Sequence, residues 1–331
     1  MRVEAIGMRD RDIEFSVLSG TDEETLLGCL QSLRKTMKQS RYSWSVTVTC
    51  NPIAEGLPRR LRTGFPGVAV IENATPRGFA ECHNRVLRVS RARYVWLLDG
   101  DLLILPDAVL FVTEFLERPE NSRVGIAGPQ LLNPDGSIQP AVYGFPSMQR
   151  TLFANMGWRG RRPRHVLPEG NVDVDTLPEA CLAIRTTAYR HAGPIDSLVS
   201  KGPAVMGWHR RFREQGWKVA RFSNASVIHY GAHTVPSGSG AADPDRLESD
   251  LSFFRSCRQP AIFSMFCAAL AVTFAGRSAI ALARRRASPA AAAWSCARLA
   301  FDSMLGRERT RSPIHGARGE PDLQGTSAPS F

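Results

Sequence analysis

The sequence contains no C-x-x-C pair, and its seven cysteines, Cys29, Cys50, Cys82, Cys181, Cys257, Cys267 and Cys296, are odd in number and widely spaced. Neither a zinc centre nor a disulfide framework is indicated, and a reducing cytoplasm suits this usage best. The opening stretch, MRVEAIGMRDRDIEF, lacks the apolar core of a secretory leader. No repeat recurs at a fixed period, and 27 glycines and 22 prolines are ordinary for 331 residues, so solenoid and collagen-like readings fall away. No helix-turn-helix or RNA-binding motif accompanies the basic residues, and the arginines are not interleaved with stacking aromatics, which excludes nucleic acid as the expected partner. What is present is a 43% hydrophobic fraction with a formal charge of +11. That is apolar material for one large body with an appendage, and a basic balance suited to a phosphorylated substrate or an anionic membrane.

Local signals alternate along the first hundred residues. Glu14 to Ser19 reads as a short strand, and Thr21 or Asp22 then caps an amphipathic helix carrying Leu26, Leu27, Leu30 and Leu33 and ending near Lys38. Ser45 to Cys50 is a β-branched strand stopped by Asn51-Pro52, and Val68 to Ile71 is a third strand between Pro66-Gly67 and Asn73. From Gly78 a helix with Phe79, Cys82, Val86 and Val89 on its apolar side leads into Tyr94 to Leu98, a continuous apolar run of the kind a central, doubly covered strand shows. The order predicts an α/β fold with a mostly parallel sheet flanked by helices. Ligands of such sheets bind at the carboxyl ends of the strands, so the residues directly after Leu98 carry the most weight.

Those residues are Asp99-Gly100-Asp101. Two carboxylates on a turn at a strand end suit a hard divalent cation, Mg²⁺ or Mn²⁺, which keeps open positions for phosphate oxygens. Taken alone, the same pair serves equally well as a cap or a turn.

Asn73, Gly78-Phe79-Ala80, Asn84, the apolar run 94–98 and the acidic pair together resemble the inverting nucleotide-sugar glycosyltransferases of family 2, in their rhamnosyltransferase-like branch. Further pieces follow in that family's order: VGIAGP at 124–129, LNPDGSI at 132–138, Phe145-Pro146, ACLAIR at 180–185, Gly193 and Asp196 in a turn, RFREQGW at 211–217 and VIHYG at 227–231. The resemblance implies a GT-A-like domain over 13–235 behind an N-terminal extension of 1–12, a nucleoside diphosphate sugar donor, and a glycan or lipid-linked acceptor. It implies Mg²⁺ or Mn²⁺ held by Asp99 and Asp101 with His229, and a donor bordered by Asn51, Arg77, Gly78, Asn84 and Asp99. On the residues alone, His229 is also readable as a hydrogen-bonded core histidine.

The match breaks where the resemblance calls for a base. The family's acidic pair falls on Ala204-Val205 and its next acidic position on Gly207, none of which accepts a proton. Glu179, on the strand approaching the site, is the substitute the sequence offers, while Asp196 is better suited to fixing its turn and His209 reads as an exposed residue of the helix. Cys50 takes the position of an acid that would contact the uracil, and is expected to pack. Two readings stay open: an inverting hexosyl- or rhamnosyltransferase, and a GT-A module that binds and scaffolds without catalysis.

After a linker expected over 236–250, the segment 251–286 holds AIFSMFCAALAVTFA at 261–275, uncharged, then Arg277, Arg284, Arg285 and Arg286. Fifteen residues fall short of the roughly 20 of a membrane span. The expectation is an in-plane or re-entrant helix on an anionic membrane surface, with a helix packed on the body or a tilted span as alternatives. From residue 277 onward nine arginines stand against four acidic residues, so this end carries +5 of the +11, and 287–331 is expected to be a basic, disordered tail. The protein is expected to be cytoplasmic, peripheral to the inner face of the cytoplasmic membrane.

Overall fold

A computed structural model describes residues 11–20, 22–52, 56–139, 141, 143–156, 170–197, 201–231, 244–257 and 259–306. The alternation at the start of the chain is realised as β1 (Ile13–Leu18), α1 (Glu23–Met37), β2 (Trp44–Cys50), α2 (Leu57–Gly64), β3 (Val68–Glu72), α3 (Phe79–Val89) and β4 (Tyr94–Asp99). The start of α1 is set by Asp22, whose carboxylate accepts the Thr25 N–H at 2.8 Å, with Glu23 and Glu24 against the positive helix end. α2 is the element that the apolar pattern does not announce. Only Leu57 and Leu61, one turn apart, are buried on it, too few to show a period. The strands pair in parallel in the order β3-β2-β1-β4, so their carboxyl ends meet along one edge.

The second part of the domain comprises β5 (Leu102–Ile104), α4 (Ala108–Glu117), β6 (Val124–Leu132), α5 (Met148–Asn155), β7 (Val172–Asp173), β8 (Cys181–Arg185), α6 (Thr186–Ala192), α7 (Lys201–Glu214) and β9 (Lys218–His229). β8 runs antiparallel to β4 with Cys181 opposite Leu98, which brings the start of β8 to the edge where β4 ends. β9 lies parallel to β6 and antiparallel to β5, with His229 opposite Leu102. Helices cover both faces of the sheet. On one face Phe15, Trp96 and Leu98 pack with Leu30 of α1 and Val112 of α4; on the other Val95, Leu97 and Ile126 pack with Val86, Tyr189, Trp208 and Phe212. Alternate residues of β4 thus enter two cores, which is why its sequence reads as an unbroken apolar run. Each large side chain so buried stabilises the fold by about 1.5–3 kcal/mol.

Three helices follow: α8 (Pro244–Cys257), α9 (Pro260–Ala283) and α10 (Ala287–Met304). They enclose a third cluster that includes Leu251, Phe254, Phe266, Leu270, Phe274, Cys296 and Ala300. Three expectations are corrected here. The expected linker ends early, because α8 begins at Pro244; residues 236–243 lie outside those described. α9 has 24 residues instead of fifteen, because Arg277 and Ser278 do not interrupt it: the guanidinium donates to the Asn155 carbonyl at 3.1 Å and the hydroxyl to the Ala290 carbonyl at 3.0 Å. And 287–304 is helical where disorder was expected, because Ala290, Ala293, Ala297 and Ala300, three or four residues apart, bury one face against the preceding helix. The remainder of that tail, 307–331, lies outside the described residues.

Candidate active site

Asp99 ends β4, and its N–H donates to the Ala180 carbonyl at 2.9 Å. A Cβ on Gly100 would stand 2.8 Å from the Leu18 carbonyl oxygen and 3.0 Å from the Gly20 nitrogen, so only glycine lets the acidic turn pack against the end of β1. The Asp101 carbonyl accepts the Tyr230 N–H at 3.0 Å, continuing the β5–β9 ladder by one bond beyond His229. This register is what joins the acidic turn to a histidine far along the chain. Ligand atoms of Asp99, Asp101 and His229 all lie within 4.8 Å of one another, and His229 Nε2 is 3.4 Å from Asp101 Oδ1.

The buried imidazole of His229 is oriented by Gln139, whose Oε1 is 3.0 Å from Nδ1. The Gln139 amide nitrogen donates to the Gly231 carbonyl at 3.2 Å, so it is the amide oxygen that faces the ring. Nδ1 therefore carries a proton, and Nε2 faces the carboxylate side. A Cβ on Gly231 would lie 2.6 Å from His229 Nε2 and 2.7 Å from Asp101 Oδ2. The space beside His229 and Asp101 is kept open because residue 231 has no side chain. Two carboxylates and an imidazole nitrogen around such a space fit Mn²⁺ or Mg²⁺.

The neighbouring wall is built by amides. Asn51, just past β2, accepts on Oδ1 from the Arg77 N–H at 2.9 Å and from Asn73 Nδ2 at 3.0 Å, and donates from Nδ2 to the Arg77 carbonyl at 3.0 Å. Its own N–H donates to Ser19 Oγ at 3.0 Å. These bonds tie the ends of β1 and β2 to the loop that enters α3 at Gly78. The Arg77 guanidinium is paired with Glu81 at 2.7 Å on the surface. Asn84, expected to border the donor, is buried. Its amide donates to the Ile195 carbonyl at 2.7 Å and accepts the Ile195 N–H at 3.0 Å, which clamps the turn that carries Asp196.

No family model matches the chain. Over 208 residues, 58% of this chain and 68% of the relative, it is 23% identical to the N-acetylglucosaminyl-diphospho-decaprenol L-rhamnosyltransferase of Mycobacterium tuberculosis, in each of two strains. In sequence the chain is thus similar to a rhamnosyltransferase. Among solved structures it is similar to GalNAc-T7 with UDP, GalNAc and Mn²⁺, at a TM-score of 0.49 and 12% identity over 72% of this chain and 48% of that one. It is also similar to the mannosyltransferase PcManGT from Pyrobaculum calidifontis in complex with GDP-Man and Mn²⁺, at a TM-score of 0.48 and 14% identity over 91% of this chain and 89% of that one.

The absent acidic pair has a clear structural counterpart. Ala204 and Val205 are buried on α7 within the core that also holds Val86, Leu97 and Trp208, so no carboxylate approaches the site from there. Glu179 is half-buried and directly precedes Ala180, whose carbonyl receives the Asp99 N–H, so the backbone brings it to the same edge as the acidic pair. Asp196 is half-buried in its turn and contributes charge toward Arg211, whose guanidinium donates to the Ala192 and Pro194 carbonyls. His209 is corrected from exposed to wholly buried: its Nδ1 accepts the Leu177 N–H at 3.3 Å and lies 2.9 Å from Thr176 Oγ1, and burial pushes its pKa down to about 3. Cys50 packs as expected, with burial holding its thiol up at about 11. Gln139 is the residue that sequence reading missed. It directly follows the LNPDGSI hairpin, whose return onto β6 was the available signal, but it is the pairing of β9 with β6 that brings His229 to it.

Proposed function

We propose that the protein is an inverting glycosyltransferase that moves a sugar from a nucleoside diphosphate donor, of dTDP-rhamnose or UDP-hexose type, to a lipid-linked or other cell-envelope glycan acceptor at the cytoplasmic face of the membrane. The observation that carries this reading is the Asp99, Asp101 and His229 cluster around the space kept open by Gly231. A divalent cation held by these three would neutralise the charge of the departing diphosphate. The acceptor is suggested by the lipid diphosphate in the name of the mycobacterial relative. In the reaction, the acceptor hydroxyl passes its proton to the Glu179 carboxylate as its oxygen attacks the anomeric carbon. The bond from that carbon to the diphosphate oxygen breaks, its electron pair leaves with the diphosphate, and the anomeric configuration inverts. Asn51 and Asn73 hold the loop at Arg77 and Gly78 that would border the donor.

Calorimetric titration of UDP, dTDP and GDP, with Mn²⁺ and then with EDTA, tests this. One nucleotide is expected to bind only with metal, and Asp101→Asn to abolish both that binding and transfer. Glu179→Gln is expected to leave nucleotide affinity in place while turnover falls by about 10²-fold or more. Absence of binding by all three nucleotides would remove the donor site from the account. A second reading, a non-catalytic binding and scaffold protein of glycan assembly, is favoured by the buried, apolar Ala204-Val205. It predicts metal-dependent nucleotide binding with no sugar transferred and no effect of Glu179→Gln.

A further inference from the structure

α9 has two unlike sides. Phe263, Phe266, Leu270 and Phe274 are buried in the third cluster, whereas Met265 and Val272 are each 74% exposed and Ile262 and Ile280 are at least half exposed. The other exposed positions of that helix are Pro260, Ala261, Gly276, Ala279, Leu282 and Ala283, so the outward stripe carries no polar side chain at all. A helix that meets water turns a polar face to it, and a contiguous apolar stripe marks a surface that something apolar covers. α10 adds exposed Trp294 and Phe301, with Leu305 just beyond. The turn joining the two helices is Arg284, Arg285 and Arg286, all exposed. Between 259 and 306 the single acidic residue is Asp302, 3.8 Å from Arg298.

We propose that the α9–α10 hairpin is a monotopic membrane-docking surface: α9 lies in the plane of an anionic bilayer with its outer stripe in one leaflet, and the arginine turn sits among the lipid phosphates. α9 is, among the described residues, the one helix long and apolar enough to cross a membrane, and at 24 residues it is about 36 Å long. Its inner side forbids a crossing. That side is packed on α5 and α8, with Phe145, Met148 and Leu152 against the shared cluster and Arg277 bonded to Asn155, so a span would pull the catalytic domain into hydrocarbon. A second copy of the chain fits less well, because the hairpin's one acidic residue, Asp302, already faces Arg298 and cannot meet three arginines, whereas anionic headgroups do. Segments 232–243 and 307–331 contain no apolar run to cover the stripe. Trp294 suits the interface depth, with an apolar body and a polar N–H. The inference rests on the proposed function only for its purpose, which is to hold the active site beside a lipid-linked acceptor.

Flotation of the full-length protein with vesicles is the test. The protein is expected to float with phosphatidylglycerol vesicles, less with phosphatidylcholine, and to be released by alkaline carbonate. Met265→Asp/Val272→Asp changes two exposed side chains without touching the core, and is expected to lower vesicle binding at least tenfold. Replacing Arg284, Arg285 and Arg286 by serine is expected to abolish the preference for phosphatidylglycerol. Unchanged flotation of the double aspartate variant, retention after carbonate, or a wild-type dimer that this variant breaks while vesicles go unbound would each overturn the proposal. Nucleotide titration of the same samples separates the two readings: flotation without nucleotide binding would sink the transferase alone, and nucleotide binding without flotation the docking surface alone.

Discussion

Gln139 supplies no atom to the ligand cluster, yet it selects which imidazole nitrogen of His229 points at Asp101. Replacing it by leucine leaves a buried Nδ1–H without an acceptor and frees the ring to change tautomer. Gln139→Leu is therefore expected to weaken Mn²⁺-dependent nucleotide binding by about 10–100-fold, read by calorimetry and by the manganese resonance spectrum, with Gln139→Glu restoring much of it. Gly231 works by what it omits. Since its added methyl would fall 2.6 Å from His229 Nε2, Gly231→Ala is expected to remove metal binding while the circular dichroism spectrum stays that of the parent. Loss of the folded spectrum instead would show that the glycine serves the turn and not the cradle.

At the scale of elements, α7 shows why restoring a family motif is not the same as restoring its chemistry. A carboxylate at position 204 would be buried among Val86, Leu97 and Trp208 instead of facing a substrate. Ala204→Asp is expected to destabilise the protein by about 3 kcal/mol or more, visible as a lowered thermal midpoint, and to yield no gain in transfer. A gain in turnover at parental stability would mean that α7 presents this position to the acceptor after all. α3 and the turn after α6 are coupled differently, through the paired Asn84 bonds to the Ile195 backbone, which fix the approach to Asp196. α9 and α10 are a further case: alanine at every third or fourth position has no visible period until a partner helix gives one face something to bury against.

Over the whole molecule, stability is expected to depend on pH through His209. Its folded pKa of about 3 lies below the ordinary 6.5, so between these values the unfolded chain binds the proton that the native core refuses. Stability is full above pH 6.5 and falls as the pH drops through that window, by an amount on the order of 5 kcal/mol for this group. His209→Asn keeps an acceptor near the Leu177 N–H and cannot be protonated. Urea denaturation at pH 7 and pH 4.5 is expected to show a smaller acid loss in this variant than in the parent; equal losses would assign the acid sensitivity to other groups. The parallel strands β1 to β4, the cap at Asp22 and the acidic turn at Asp99 were legible in the chain, because each depends on a handful of neighbours: an alternation, a capping oxygen, a glycine between two acids. The partners of that turn were less so. His229 reaches Asp101 through the register of β5 on β9, Gln139 reaches His229 through a hairpin folded back on β6, and Asn84 is drawn to Ile195 by the packing of α3 against α7. Local periodicity encodes which face of an element is apolar, but the meeting of distant side chains depends on strand register and helix packing, whose energies belong to pairs of elements and not to any one segment.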